Sequence, residues 1–164
     1  MTKDADVSRT ADDETVVSGM GGGGVVDPAA LGWEEVADDG FIQLVGPVWL
    51  KRTEGALNRY AFLAQPKHKN LRGVVQGGMI MTFADRAMGM TARQQNENRP
   101  QATVQLDVHF VDAVRIGDFV EAHAEVIRKT KALMFMRADL KVGARVVATA
   151  NGVWKVLERS VQPA

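Results

Sequence analysis

The chain has 164 residues, with 20 Lys and Arg against 20 Asp and Glu, three His, no Cys and 46% hydrophobic residues. That length suits one domain with a sizeable core, and the lack of Cys excludes disulfides, thiolate metal sites and a cysteine nucleophile. A net charge of zero argues against bulk attraction to nucleic acid, which needs a surplus of Lys and Arg.

The charge is unevenly spread. Residues 1–27 carry a net −4, leaving +4 on residues 28–164. The first stretch holds a glycine run around Met20 and has no apolar period, so it reads as a flexible acidic tail that cannot offset its ordering entropy. It lacks the basic start and apolar run of a secretory signal. No segment approaches the roughly 18 apolar residues of a membrane span. The expectation is a cytoplasmic protein with no membrane or nucleic-acid partner.

Asp27 and Pro28 predict a helix start, with a short helix running to about Val36. Asp38-Asp39-Gly40 reads as a turn, and Phe41 to Leu50 as two short pieces broken at Gly46-Pro47. Leu57, Tyr60, Phe62 and Leu63 mark a strand, and Gln65 to Val75 a loop punctuated by Pro66, Asn70 and Gly73. From Gln76 to about Arg93 the period becomes helical: Ile80, Phe83, Ala84, Ala87 and Thr91 fall on one face. Asn96 to Gln101 is a polar loop.

Four strand candidates follow. In Ala102 to Val111, Val104, Leu106, Val108 and Phe110 alternate with Thr103, Gln105, Asp107 and His109, which predicts an apolar and a polar face. Val120 to Val126, Leu133 to Leu140 and Val146 to Leu157 complete an antiparallel meander with short turns. The expected architecture is α+β, an antiparallel sheet wrapped around one long amphipathic helix, its outer face meeting solvent or a second subunit.

The loop-to-helix junction Asn70 to Gly78 is the most informative local feature. Paired glycines there let a ligand approach the backbone, and first-turn N–H groups can hold an anion or a developing oxyanion. Tight packing of helix on sheet is the competing explanation. Asp85 has Met81, Thr82, Met88 and Gly89 as its helical neighbours and no basic partner there, so it is either a solvated side chain or a general base. His68, His109 and His123 read as surface residues without metal-binding spacing. Met81 and Met88 belong to a Met-rich run that is either core or an adaptable pocket lining. Arg128, Lys129 and Lys131 form a basic turn that either is merely solvated or binds phosphate.

The chain resembles the hotdog-fold thioesterases, specifically the phenylacetate-degradation (PaaI) type within the 4-hydroxybenzoyl-CoA thioesterase superfamily. The resemblance spans about Leu31 to Leu157. It rests on Asn70 six residues before Gln76-Gly77-Gly78, on MIMTFADRAMG from Met79 to Gly89, on TVQLDVHF from Thr103 to Phe110, on the Arg115 to Asp118 turn, and on a final strand ending GVWKVL. It implies a dimer or dimer of dimers that cleaves acyl-CoA thioesters without metal or organic cofactor, in sites built across the subunit interface. It further implies that the Gly77 N–H and the Asn70 side chain polarise the carbonyl. Asp85 of the other subunit acts as base or nucleophile, and Thr103 stands where relatives orient the water. Gln76 replaces the family's usual His, leaving a group that hydrogen-bonds but does not exchange protons near neutral pH. That substitution keeps a second reading open, a hotdog protein that binds acyl-CoA without hydrolysing it. A hydroxyacyl-CoA dehydratase is a third, weakened by the lack of a helical His.

Overall fold

The computed structural model describes residues 26–158, so the expected acidic tail lies almost wholly outside the described residues. The elements are β1 (Glu34–Glu35), α1 (Phe41–Val45), β2 (Val48–Lys51), β3 (Arg59–Leu63), α2 (Gly77–Gln95), β4 (Gln101–Phe110), β5 (Phe119–Lys129), β6 (Leu133–Val142) and β7 (Arg145–Val156). One antiparallel seven-stranded sheet runs in the order β1-β2-β3-β5-β6-β7-β4. It curls around α2, whose Ile80, Phe83, Ala84, Ala87 and Thr91 are all buried, as the helical period requires. Met79 and Met88 join them. Phe62, Val120, Met134, Leu140 and Trp154 close over this stripe from the sheet. The result is the hotdog fold, with α2 as its long central helix.

Several expectations change. The helix after Pro28 shrinks to a single 3-10 turn, Ala29–Leu31. Asp27 Oδ1 does accept the Ala29 N–H at 3.0 Å, but Gly32 turns left-handed at φ 78° and ends the segment at once. Glu34–Glu35 then pairs with β2. The two pieces around Gly46-Pro47 are a helix and a strand. Only β5, β6 and β7 form a meander. β4 crosses to the far edge and pairs with β7, because the Val111 to Asp118 connection is too long for a hairpin and carries the chain past its neighbours.

The expected faces of β4 also change. The register against β7 slips between Thr103 and Gln105, a bulge with Val104 as the extra residue. Thr103 therefore shares the side of its partner Trp154, which is buried, and Leu106 and Val108 share the side of Gly152 and Ala150. So Thr103 faces the helix with Leu106 and Val108, and Gln105, Asp107 and His109 keep the outer face. Opposite the bulge, Gly152 leaves no room for a side chain: a Cβ there would lie 2.6 Å from the Trp154 ring and 2.9 Å from the Gln105 carbonyl oxygen. Bulges commonly re-aim a side chain in this way.

Candidate functional site

The start of α2 is built by three backbone and side-chain contacts. The Gln76 N–H donates to the His68 carbonyl at 2.8 Å, and the Gln76 carbonyl accepts the Met79 N–H at 2.9 Å. Gln76 Oε1 caps the helix by accepting the Gly78 N–H. This cap uses up Gly78 as a donor, and a Cβ on Gly78 would sit 2.7 Å from Gln76 Oε1, so a side chain there would push the flexible Gln76 amide aside. Among the described residues no acceptor takes the Gly77 N–H. It projects from the positive end of a helix with no acidic residue in its first turn, the electrostatic setting in which an oxyanion is stabilised.

Asn70 sits at the head of the preceding turn. Its carbonyl accepts from Gly73 at 3.0 Å and its N–H donates to Val74 at 2.8 Å. The left-handed φ of Gly73, 84°, closes that turn. Asn70 Oδ1 accepts the Arg72 N–H at 2.8 Å, which leaves the amide NH2 as the outward-facing donor. Asn70 and Gln76 line one open depression of about 590 Å³. Gly77 lines a neighbouring one of about 260 Å³ with Phe110 and Val147.

Asp85 lies eight residues further along α2 and is half-buried. Its Oδ1 accepts from Thr103 Oγ1 at 2.7 Å, the contact the β4 bulge makes possible, and its Oδ2 is left for another donor. Asp85 is thus held in place by a hydroxyl and not by a cation. Both residues line a groove of about 350 Å³ between α2 and the start of β4. Arg86, next to Asp85, is engaged by Asp38.

Other candidates lie elsewhere. Met81 is 41% exposed, but Met88 is fully buried in the core, where it faces the sheet from the buried stripe of α2. Arg128, Lys129 and Lys131 are exposed around the β5–β6 turn and line none of these three depressions. Lys129 Nζ donates to the Gln95 carbonyl at 2.8 Å, satisfying the last turn of α2. Sequence reasoning missed Arg93, Arg99 and Gln101, which line the groove beside Asp85. The signal available was the four-residue repeat Asp85, Gly89, Arg93 along the helix. Among the described residues no three His, Asp or Glu side chains cluster as a metal site requires.

His68 also departs from expectation, being 5% exposed and not a surface residue. Its Nδ1 accepts the Gln65 N–H at 3.0 Å and its Nε2 donates to the Val45 carbonyl at 2.6 Å, an arrangement that fits the neutral ring. Burial, the main cause, holds its pKa below the usual histidine value, with Lys67 adding to the effect. A depressed folded-state pKa means that the unfolded chain takes up the proton first as pH falls. Stability contributed by His68 is therefore present above the unfolded value of about 6.5 and is lost as pH drops from there towards the folded value. Thermal midpoints measured from pH 8 to 5 should fall in that window, and His68→Asn should flatten the fall; an unchanged slope in the variant would exclude His68 as its source.

The thioesterase superfamily model matches residues 72–149, which include Gly77, Asp85 and Thr103. The Pseudomonas aeruginosa protein named "Putative esterase PA0474" is 32% identical over 115 residues, covering 70% of this chain and 86% of that protein. Human acyl-coenzyme A thioesterase 13 is 24% identical over 88 residues, covering 54% of this chain and 63% of that one. Among solved structures, the phenylacetic acid degradation protein PaaI of Thermus thermophilus, in a mutant form, aligns with TM-score 0.65 and 19% identity. That alignment covers 73% of this chain and all of the other. A Bacillus halodurans protein solved with CoA aligns with TM-score 0.61 and 22% identity, covering 67% of this chain and 74% of that one. No helix among the described residues is long and apolar enough to cross a membrane.

Proposed function

Because this chain belongs to the thioesterase superfamily, we propose that it hydrolyses an acyl-CoA thioester in a site assembled from two copies of itself. The observation that carries the reading is the Asp85 carboxylate, fixed by Thr103 at 2.7 Å, on the same helix as an N–H of Gly77 without an acceptor. Asp85 takes a proton from water as the water oxygen adds to the carbonyl carbon. The Gly77 N–H, helped by the Asn70 amide, holds the negative oxygen, and the C–S bond then breaks to release CoA and the free acid. Alternatively Asp85 attacks the carbon itself, the C–S bond breaks and CoA leaves as its thiol, and water then hydrolyses the resulting anhydride to the free acid and the Asp85 carboxylate.

Helix geometry supports the second copy. Eight residues of α2 separate Gly77 from Asp85 by a rise of about 12 Å, beyond the reach of one carbonyl group and one water. β4 is an edge strand, paired only with β7 among the described residues, with Val104 at 61% and Phe110 at 55% exposure on it and Val111 at 60% just past its end, the kind of edge that pairs with another strand. Antiparallel pairing of two such edges brings the helix start of one copy towards Asp85 of the other. A panel of short-chain, medium-chain and aryl acyl-CoAs, read by free-thiol release, tests the activity. Turnover of at least one is expected, and tight acyl-CoA binding with no turnover over hours would favour the non-hydrolysing alternative.

A further inference from the structure

The groove beside Asp85 has two ends of different chemistry. α2 and the start of β4 run along it in matched layers. At one end Asp85 faces Thr103. In the middle the Gln101 side-chain amide donates to the Gly89 carbonyl. At the other end lie Arg93 and Arg99. Asp85, Gly89 and Arg93 repeat every four residues on one face of α2, so the run from Asp85 to Arg93 is about 12 Å long.

Its middle is floored by Gly89, Gln101 and Trp154: a Cβ on Gly89 would lie 3.4 Å from Trp154 Nε1 and 3.9 Å from Gln101 Nε2, so those two side chains already pack over the helix backbone there. The charges at the far end are uncommitted. Among the described residues no carboxylate pairs with Arg93 or Arg99, and Arg99 Nη2 makes only a long 3.5 Å contact to the Leu157 carbonyl. Arg86, the third guanidinium at the groove, is already used by Asp38.

Resting on the hydrolase reading above, we infer that the acyl group of the preferred substrate carries a second carboxylate at its far end, held by Arg93 and Arg99 while the thioester carbon sits at Asp85. Guanidinium forks suit a carboxylate in that position. A straight six-carbon diacyl chain, about 6 Å between its end carbons, fits the run of about 12 Å with a contact of about 3 Å at each end. Between the two ends the Gln101 amide is already engaged with Gly89 and Asn96, so among the lining residues the free charged donors for a second anion lie at the far end.

The test compares adipyl-CoA with its methyl ester and with hexanoyl-CoA, in the wild-type protein and in Arg93→Gln/Arg99→Gln. The wild type should show a kcat/KM for adipyl-CoA at least about tenfold above either neutral thioester, and the double variant should bring that ratio close to unity. Equal or better turnover of the neutral pair by the wild type overturns the inference without any variant having to fold. The same three acyl groups on pantetheine, which lacks the CoA phosphates, separate the two anions. If the double variant slows all CoA thioesters alike and no pantetheine thioester, the guanidiniums serve the CoA phosphates and the inference fails. If no thioester turns over, the hydrolase reading fails instead. The groove is then judged by calorimetry, where adipyl-CoA binding no tighter than hexanoyl-CoA overturns it as well.

Discussion

Replacing Asp85 with Asn is expected to lower kcat by roughly 10²–10⁴-fold, the range for losing a positioned general base, with little change in thermal midpoint. The amide keeps the size of the carboxylate and still accepts from Thr103 Oγ1, so the 2.7 Å contact survives and the helix keeps its place. What disappears is the proton acceptor at Oδ2 and the nucleophilic oxygen. Asp85→Ala should cost as much activity, and it leaves the Thr103 hydroxyl without its acceptor. Thiol release over a substrate range separates kcat from KM in both variants. Wild-type kcat in Asp85→Asn would exclude both roles proposed for this residue.

A second large effect is expected from Gly77→Pro, which deletes the N–H and adds the proline ring beside Phe110. Proline suits the first helical position, and Gln76 before it already has φ −68° and ψ 135°, the conformation a residue before proline adopts. Losing an oxyanion donor costs about 10²–10³ in kcat. Gly77→Ala is the control, since it adds the same Cβ, 3.2 Å from Phe110 Cζ, but keeps the N–H. The two inactive variants also report on each other. Unfolding and refolding an equal mixture of Asp85→Asn and Gly77→Pro forms mixed dimers in which one of two sites is intact, restoring about a quarter of wild-type activity by random pairing. A mixture as inactive as its components would place Gly77 and Asp85 in the same copy or in different functions.

The long helix was the most legible element, because a stripe such as Ile80, Phe83, Ala84, Ala87 and Thr91 has few ways to be buried other than against a sheet. Asp85 and the Gly77-Gly78 pair stand out for a related reason: a carboxylate and paired glycines are costly choices in a helix unless something uses them, whereas Asn70 enters only through the family resemblance. The partner of β4 was not legible. Alternation reports which residues share a face and says nothing about which strand lies beside them. Thr103 was placed on the wrong face because a bulge is set by one unpaired backbone residue, Val104, whose side chain looks like any other in the run. His68 escaped because its burial depends on a carbonyl more than twenty residues earlier, at Val45. Of the groove arginines, Arg93 is marked only by its four-residue spacing from Asp85 through Gly89, and Arg99, a single cation in a polar loop, carries no period at all.

The contacts of His68 have a consequence for how this chain is divided into parts. The ring is held by the Val45 carbonyl at 2.6 Å, and the His68 carbonyl in turn holds the Gln76 N–H at 2.8 Å. Asp38 engages Arg86 beside the carboxylate. Two residues of the segment before β2 therefore brace α2 at its start and beside Asp85, one through a relay of hydrogen bonds and one through an ion pair. That segment precedes the 72–149 stretch matched by the superfamily model. The matched stretch holds most of the proposed site, but Gly77 and Asp85 within it are braced from outside it. A catalytic core transplanted or trimmed to the matched boundaries would keep its reactive groups and lose the splint that aligns them.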